Sequence, residues 1–252
     1  MGYKCTEADH AVFTCLDLSI SIIALYIDDI TMVSRNLKEI EGDKAALRRR
    51  YEMTDLRELS WILGICITCD RLAGTISLSQ EKFADEVLER FGKTRLRPIS
   101  TPVLPNEHLT KLPSPEVDAK EYQQAIGALM YLMIATCPNL AYAVGALRRH
   151  TANLGEEHLR ALNRVFRYLR GTKHRELTFQ KEGGDGLVLK GYADADWASD
   201  KNDRKSTSRY AFTLGGGATR WSSKKQSAVA LSSTEAEYIA GGHAAKEAVW
   251  LR

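Results

Sequence analysis

Hydrophobic and polar positions alternate along this chain in two rhythms, and the switches between them outline four segments. Residues 18–33 form an Ile-rich apolar run broken by the charged pair Asp28-Asp29. Short apolar stretches on either side of an acidic pair predict two strands joined by a tight turn. Residues 37–51 place apolar side chains at helical spacing among charges, whereas β-branched residues alternate over 61–68 as in a strand. A turn at 70–74 and a returning strand at 75–78 complete a predicted hairpin. Phe83, Val87, Leu88 and Phe91 then predict a helix over 79–91, closed by Gly92.

Five of the six prolines fall between 97 and 115, a composition that disfavours both helix and central strand and marks a boundary. Beyond it, 122–135 and 156–169 read as amphipathic helices. The second lines up Leu159, Leu162, Val165, Phe166 and Leu169 on one face and Arg160, Arg164, Arg167 and Arg170 on the other. That basic face is either a solvated surface or a stripe facing phosphates. After a glycine-rich turn at 183–186, strands are predicted at 187–194, 207–214 and 218–223, with Gly215-Gly216-Gly217 turning the last two into a hairpin. A helix follows from Ser233, with Ile239, Ala240, Ala244, Val249 and Leu251 as its apolar surface. Three strands and a helix make an α/β or α+β unit. No internal repeat or low-complexity tract interrupts the sequence.

Composition changes this picture little. With 252 residues and 44% hydrophobic content the chain can bury a sizeable core in one to three domains, and a net charge of +3 permits nucleic-acid binding without arguing for it. No apolar run reaches membrane-spanning length and the first residues lack a signal-peptide pattern, so an intracellular location, cytoplasmic or nuclear, is expected. Cysteines at 5, 15, 66, 69 and 137 form no regular framework, as suits a reducing compartment. Cys66 and Cys69 have the spacing of half a zinc site. On a strand, however, residues three apart face opposite ways, which favours an ordinary structural role.

Two sets of acids carry the candidate chemistry. Asp28 and Asp29 are either a water-exposed turn or a pair presenting oxygens to Mg²⁺, a hard cation that takes one or two carboxylates along with substrate phosphates. Asp194 and Asp196 share one face at a strand end, and Glu235 and Glu237 open the last helix. Such carboxylates can gather around a pair of metal ions for phosphodiester hydrolysis. The glutamates have a competing role, since Ser232 to Glu235 and Thr234 to Glu237 each match a capping box.

The tetrad Tyr26-Ile27-Asp28-Asp29 resembles the Tyr-x-Asp-Asp hairpin of reverse transcriptases. Trp61-Ile62-Leu63-Gly64-Ile65 and Ile76-Ser77-Leu78-Ser79-Gln80 are similar to segments that follow it in copia-type retrotransposons. The stretches 191–198, 204–208, 221–226 and 231–238 resemble the RNase H domain of the same elements, and 122–132 and 167–172 their connecting segment.

The resemblance implies a remnant reverse transcriptase palm and thumb over 1–96, a proline-rich linker and helical connection over 97–180, and over 181–252 the N-terminal half of an RNase H domain, a truncated three-stranded sheet with a helix. It implies Asp28, Asp29, Asp194 and Glu237 as catalytic, metal-binding residues, with Asp196 and Glu235 as weaker candidates, and Mg²⁺ as cofactor. The implied partners are RNA, DNA or their hybrid, bound weakly and without sequence preference through Arg160, Arg164, Arg167, Arg204, Lys205, Lys224 and Lys225.

Two departures stand out, Arg209 where the family usually has Gly and Cys137-Pro138-Asn139 where it commonly has Arg-Pro-Asp. The family's fingers and first metal-binding Asp are expected well before Tyr26, and two further RNase H Asp after the last helix, so this chain alone is expected to be catalytically inactive. Two other functions fit the same residues, a non-catalytic nucleic-acid-binding module that also uses Lys201, and a relic with no function.

Overall fold

Alternating runs that are too short to hold a core alone pair into three antiparallel sheets. The computed structural model describes residues 2–15, 20–104, 109–110, 119–181 and 188–252, which divide into two units, Met1–Leu59 and Ser60–Arg252. No helix among the described residues is long and apolar enough to cross a membrane.

In the first unit, β1 (Lys4–Cys5), β2 (Val12–Cys15), β3 (Ser21–Tyr26) and β4 (Asp29–Ser34) form a meander in sequence order, followed by α1 (Leu37–Arg48). The predicted hairpin is β3–β4, in register from Ser21↔Ser34 to Tyr26↔Asp29; Leu18, at the start of the predicted run, lies outside the described residues. Asn36 caps α1 by accepting from the Lys38 N–H at 3.1 Å, the favoured role of Asn at this position. Tyr3 Oη donates to Asp43 Oδ2 at 2.6 Å and ties the chain start to α1. The unit's core is slight, because α1 fully buries no residue and Ile23 is the unit's only buried hydrophobic among the described residues.

The second unit opens with β5 (Trp61–Ile62), β6 (Ile65–Asp70), β7 (Thr75–Ser79) and α2 (Glu81–Arg90). Residues 61–68 are not the single strand that alternation predicts. Leu63 and Gly64 take φ of +50° and +69° and fold β5 back onto β6, pairing Ile62 with Ile65. Positive φ at both central residues is the signature of a type I′ hairpin turn, and Gly64 adopts it at no steric cost. Tyr131 Oη donates to the Leu63 carbonyl and pins this turn. Cys66 and Cys69 are free thiols on β6, three residues apart and so on opposite faces.

Helices α3 (Ala119–Ala135), α4 (Ala141–Arg148, after a 3₁₀ turn at Pro138–Leu140) and α5 (Glu156–Thr172) pack with α2 around the main core, which buries Leu88, Tyr122, Leu129, Leu132, Leu147 and Phe166. The helix α4 and the strand β8 (Leu177–Gln180), which pairs with β7, carried no sequence signal. Part of the predicted linker, 97–104, is described, and Arg164, Arg167 and Arg170 hold residues 96–101 along α5.

The last sheet has the order β11-β10-β9, from β9 (Lys190–Asp196), β10 (Thr207–Leu214) and β11 (Gly217–Lys225). Gly215 and Gly216 turn β10 into β11 with φ of +56° and +75°. The predicted turn at 183–186 and Leu187 lie outside the described residues. α6 (Ser233–Leu251) packs on β9 and β10. Its buried face is Ala236, Ala240 and Ala244, small residues at four-residue spacing that let the helix approach the strands. Val249, predicted as apolar surface, is 78% exposed.

Candidate functional site

The hairpin tip presents Asp28 and Asp29 as exposed residues. Ile27 reaches the turn with φ of +51° and is 87% exposed. A β-branched residue in the left-handed region is strained, and such strain gathers where a turn must display particular groups. Asp28 and Asp29 follow it directly, both exposed where β3 turns into β4.

The second acid set is organised by strand register. Arg209 of β10 stands directly opposite Asp194 of β9, and Asp196 is paired with Thr207. Strand alternation puts all three charged side chains on one face. Arg209 Nη1 lies 3.4 Å from Asp194 Oδ2 and Nη2 lies 3.0 Å from Asp196 Oδ2. The other Asp196 oxygen accepts the Thr207 N–H at 3.2 Å.

The helix glutamates do not join these aspartates. Glu235 is a cap: its N–H donates to Ser232 Oγ at 3.1 Å and its carboxylate accepts from the Leu231 N–H at 2.7 Å. That is the reciprocal capping arrangement, shifted by one residue at its return bond. Glu237 is exposed on the same helix. Among the described residues no three His, Cys, Asp or Glu side chains gather as a metal would require. A divalent ion at Asp194 and Asp196 would meet the Arg209 guanidinium already on one oxygen of each carboxylate, so the residues there do not fit the implied Mg²⁺. At the hairpin tip the exposed pair Asp28 and Asp29 could supply two carboxylates of a ligand set.

The basic residues divide into engaged and open. Arg164 Nη2 donates to Thr101 Oγ1 at 2.8 Å, Arg167 Nε to the Arg97 carbonyl at 2.8 Å, and Arg170 to the Leu96 carbonyl. The predicted stripe is therefore largely a clamp on the linker. Arg160 pairs with Glu156 at 2.5 Å, with both side chains more than three-quarters exposed. Lys225 lies 2.8 Å from both Asp200 and Asp203. Burial works against the Asp200 charge, but the Lys225 ammonium and bonds from Asn202 outweigh it and hold the Asp200 carboxyl at about 2. Lys201, Arg204 and Lys224 are exposed and Lys205 is half-buried.

Several motif residues prove to be structural. Gln226 is 2% exposed, and its amide donates to Ser208 Oγ and the Ala236 carbonyl, each at 2.9 Å. It thereby joins β11, β10 and the first turn of α6. Trp221 Nε1 donates to the Met133 carbonyl at 2.9 Å and Trp197 Nε1 to the Ala230 carbonyl at 3.1 Å. No periodicity argument points to such roles, because each bond spans separate elements.

Comparison with known proteins gives this geometry a context. The family model for reverse transcriptase (RNA-dependent DNA polymerase) matches residues 1–105. The retrovirus-related Pol polyprotein from transposon TNT 1-94 of Nicotiana tabacum is 42% identical over 238 residues, 92% of this chain and 18% of the polyprotein. The corresponding polyprotein from transposon RE1 of Arabidopsis thaliana is 36% identical over 253 residues, 100% of this chain and 17% of the polyprotein. A secreted RxLR effector protein of Plasmopara viticola is 52% identical over 130 residues, 52% of this chain and 90% of that protein. The chain thus spans less than a fifth of the two polyproteins. No solved structure gives a match.

Proposed function

Since the chain belongs to the reverse transcriptase-bearing polyprotein family of copia-type retrotransposons, we propose that it is the stretch of such a polyprotein running from the polymerase's acidic hairpin into an RNase H-like domain. In this reading residues 1–96 are palm and thumb, 97–180 the linker and helical connection, and 181–252 the first part of RNase H. RNA-directed DNA synthesis and cleavage of the hybrid's RNA strand are the work of the complete assembly. The observation that carries the reading is the exposed hairpin tip with Asp28 and Asp29 side by side, inside the segment that the reverse transcriptase model matches.

A divalent metal, Mg²⁺ in this reading, would supply charge neutralisation for the phosphoryl group once bound. Asp28 and Asp29 would hold part of its ligand set and orient it from the rigid tip of β3–β4. Asp194 and Glu237 stand at the family's RNase H positions, but with Arg209 on Asp194 and Glu237 apart from it they do not fit a metal there. By itself the chain binds RNA, DNA or their hybrid weakly, through basic residues such as Arg160, which would exchange its Glu156 partner for phosphate, Arg204, Lys205 and Lys224, and neither copies nor cuts. Two observations support that restriction: Arg209 already neutralises Asp194 and Asp196, and Glu237 does not gather with them among the described residues. A cytoplasmic or nuclear location belongs to the same reading.

The test is labelled-nucleotide incorporation on a primed RNA template, together with cleavage of labelled hybrid, by the purified chain in Mg²⁺. No incorporation and no cleavage are expected. Incorporation abolished by Asp28→Asn, or cleavage abolished by Asp194→Asn or Glu237→Gln, would show the chain to be an enzyme in its own right.

A further inference from the structure

Arg209 sits in an unusual balance of contacts. Each of its terminal nitrogens faces a different carboxylate, Asp194 at 3.4 Å and Asp196 at 3.0 Å. Its Cζ lies 5.0 Å from the centre of the Tyr142 ring on α4, within the range of a cation–π contact. Its Nε is buried without a hydrogen-bond partner, which is a cost that the other contacts must outweigh. The guanidinium thus lies between an aromatic face and two acids, with the side chain 39% exposed. Of the four carboxylate oxygens, Asp194 Oδ2 and Asp196 Oδ2 face Arg209, and Asp196 Oδ1 accepts the Thr207 N–H.

We propose that the Arg209 guanidinium is a built-in counter-cation for Asp194 and Asp196, tying the two carboxylates together and keeping divalent metal ions off them. The register of β9 against β10 sets the arrangement, since Arg209 is the cross-strand partner of Asp194, and opposite charges directly across an antiparallel pair attract. A planar fork matches two neighbouring carboxylates where a metal ion would otherwise bridge them. An incoming divalent cation would have to displace Arg209 or accept its positive charge a few ångströms away. This inference rests on the last sheet and on Tyr142, and does not need the polymerase reading.

The experiment is a Mn²⁺ titration of the full chain, read as paramagnetic broadening of amide signals in β9 and β10. Arg209→Gln is expected to reach half-broadening of the Asp194 and Asp196 signals at a Mn²⁺ concentration at least about tenfold below the wild type, a modest factor because Asp194 is exposed and screened. Adding Asp194→Asn should abolish the gain. Equal half-broadening concentrations in the two folded proteins overturn the proposal, and so does a gain that survives Asp194→Asn. Should Arg209→Gln not fold, Arg209→Met removes the charge while keeping a long unbranched side chain: easier broadening than wild type supports the proposal, and unchanged broadening overturns it.

Discussion

Two buried histidines in tilted ring contact make acid the most informative perturbation of stability. His150 and His158 are 5% and 0% exposed, with ring centroids 4.4 Å apart. His158 Nδ1 accepts the Gly155 N–H at 3.0 Å. Burial, and then repulsion from His158 and Arg149, pushes the His150 imidazole from 6.5 down to about 4, against the weaker pull of Asp200 and Glu157. The folded state therefore keeps His150 neutral at a pH where the unfolded chain already protonates it. Stability is full above the unfolded value and is lost as pH falls from about 6.5 towards 4, below which the loss levels off.

With those two values, lowering the pH from 7 to 5 costs on the order of 2 kcal/mol from this residue alone. For a chain of this size that corresponds to a fall in Tm of roughly 4–7 °C. The assay is thermal or urea unfolding at pH 7, 6 and 5 for the wild type and His150→Phe, because other groups titrate in both and only the difference isolates His150. The variant is expected to lose about 2 kcal/mol less over this range. A pH slope identical in the two proteins would refute the argument that burial keeps His150 neutral.

Replacing Ile27 with Gly removes side-chain strain at the hairpin tip and is expected to raise the opening free energy of β3–β4 by about 1 kcal/mol, read by amide exchange; unchanged or faster exchange contradicts a strained turn. Phe166, 1% exposed in the main core, should cost about 3–5 kcal/mol when replaced by Ala, measured by urea unfolding, and a loss under 1 kcal/mol would show that the core collapses freely around it.

Much of the fold was legible wherever an element carries its own contrast. The β3–β4 hairpin announces itself because apolar alternation breaks at Asp28-Asp29, and α5 because one face of Leu159, Leu162, Val165, Phe166 and Leu169 stands against a face of charges. By contrast, α4 hides because Ala141-Tyr142-Ala143-Val144-Gly145-Ala146-Leu147 has little polar contrast, so periodicity is mute. The four residues of β8 pair with β7, about a hundred positions earlier, and only long-range contact makes them a strand. At 61–68, alternation misread a turn because Leu63 is apolar and Gly64 fits both patterns.

The candidate site was legible to the same degree. Two carboxylates on one face of β9 follow from alternation, and Ser232 as the cap of α6 follows from spacing. That Arg209 closes over those carboxylates depends on which residue of β10 lies opposite Asp194, a register no single strand encodes. The arginines of α5 show the same limit. Their spacing sets a polar face, but not that the face is covered by the linker's own backbone carbonyls and Thr101 instead of phosphates.

The proposed binding of nucleic acid without an independent active site is tested most directly by measuring affinity for an RNA–DNA hybrid as a function of salt. With about four basic residues in contact with phosphates, log K is expected to fall against log salt with a slope of roughly −3 to −4. Arg160→Glu combined with Lys224→Glu should make that slope shallower by about two. Binding that ignores both salt and these two substitutions, or no binding even at low salt, would contradict the account.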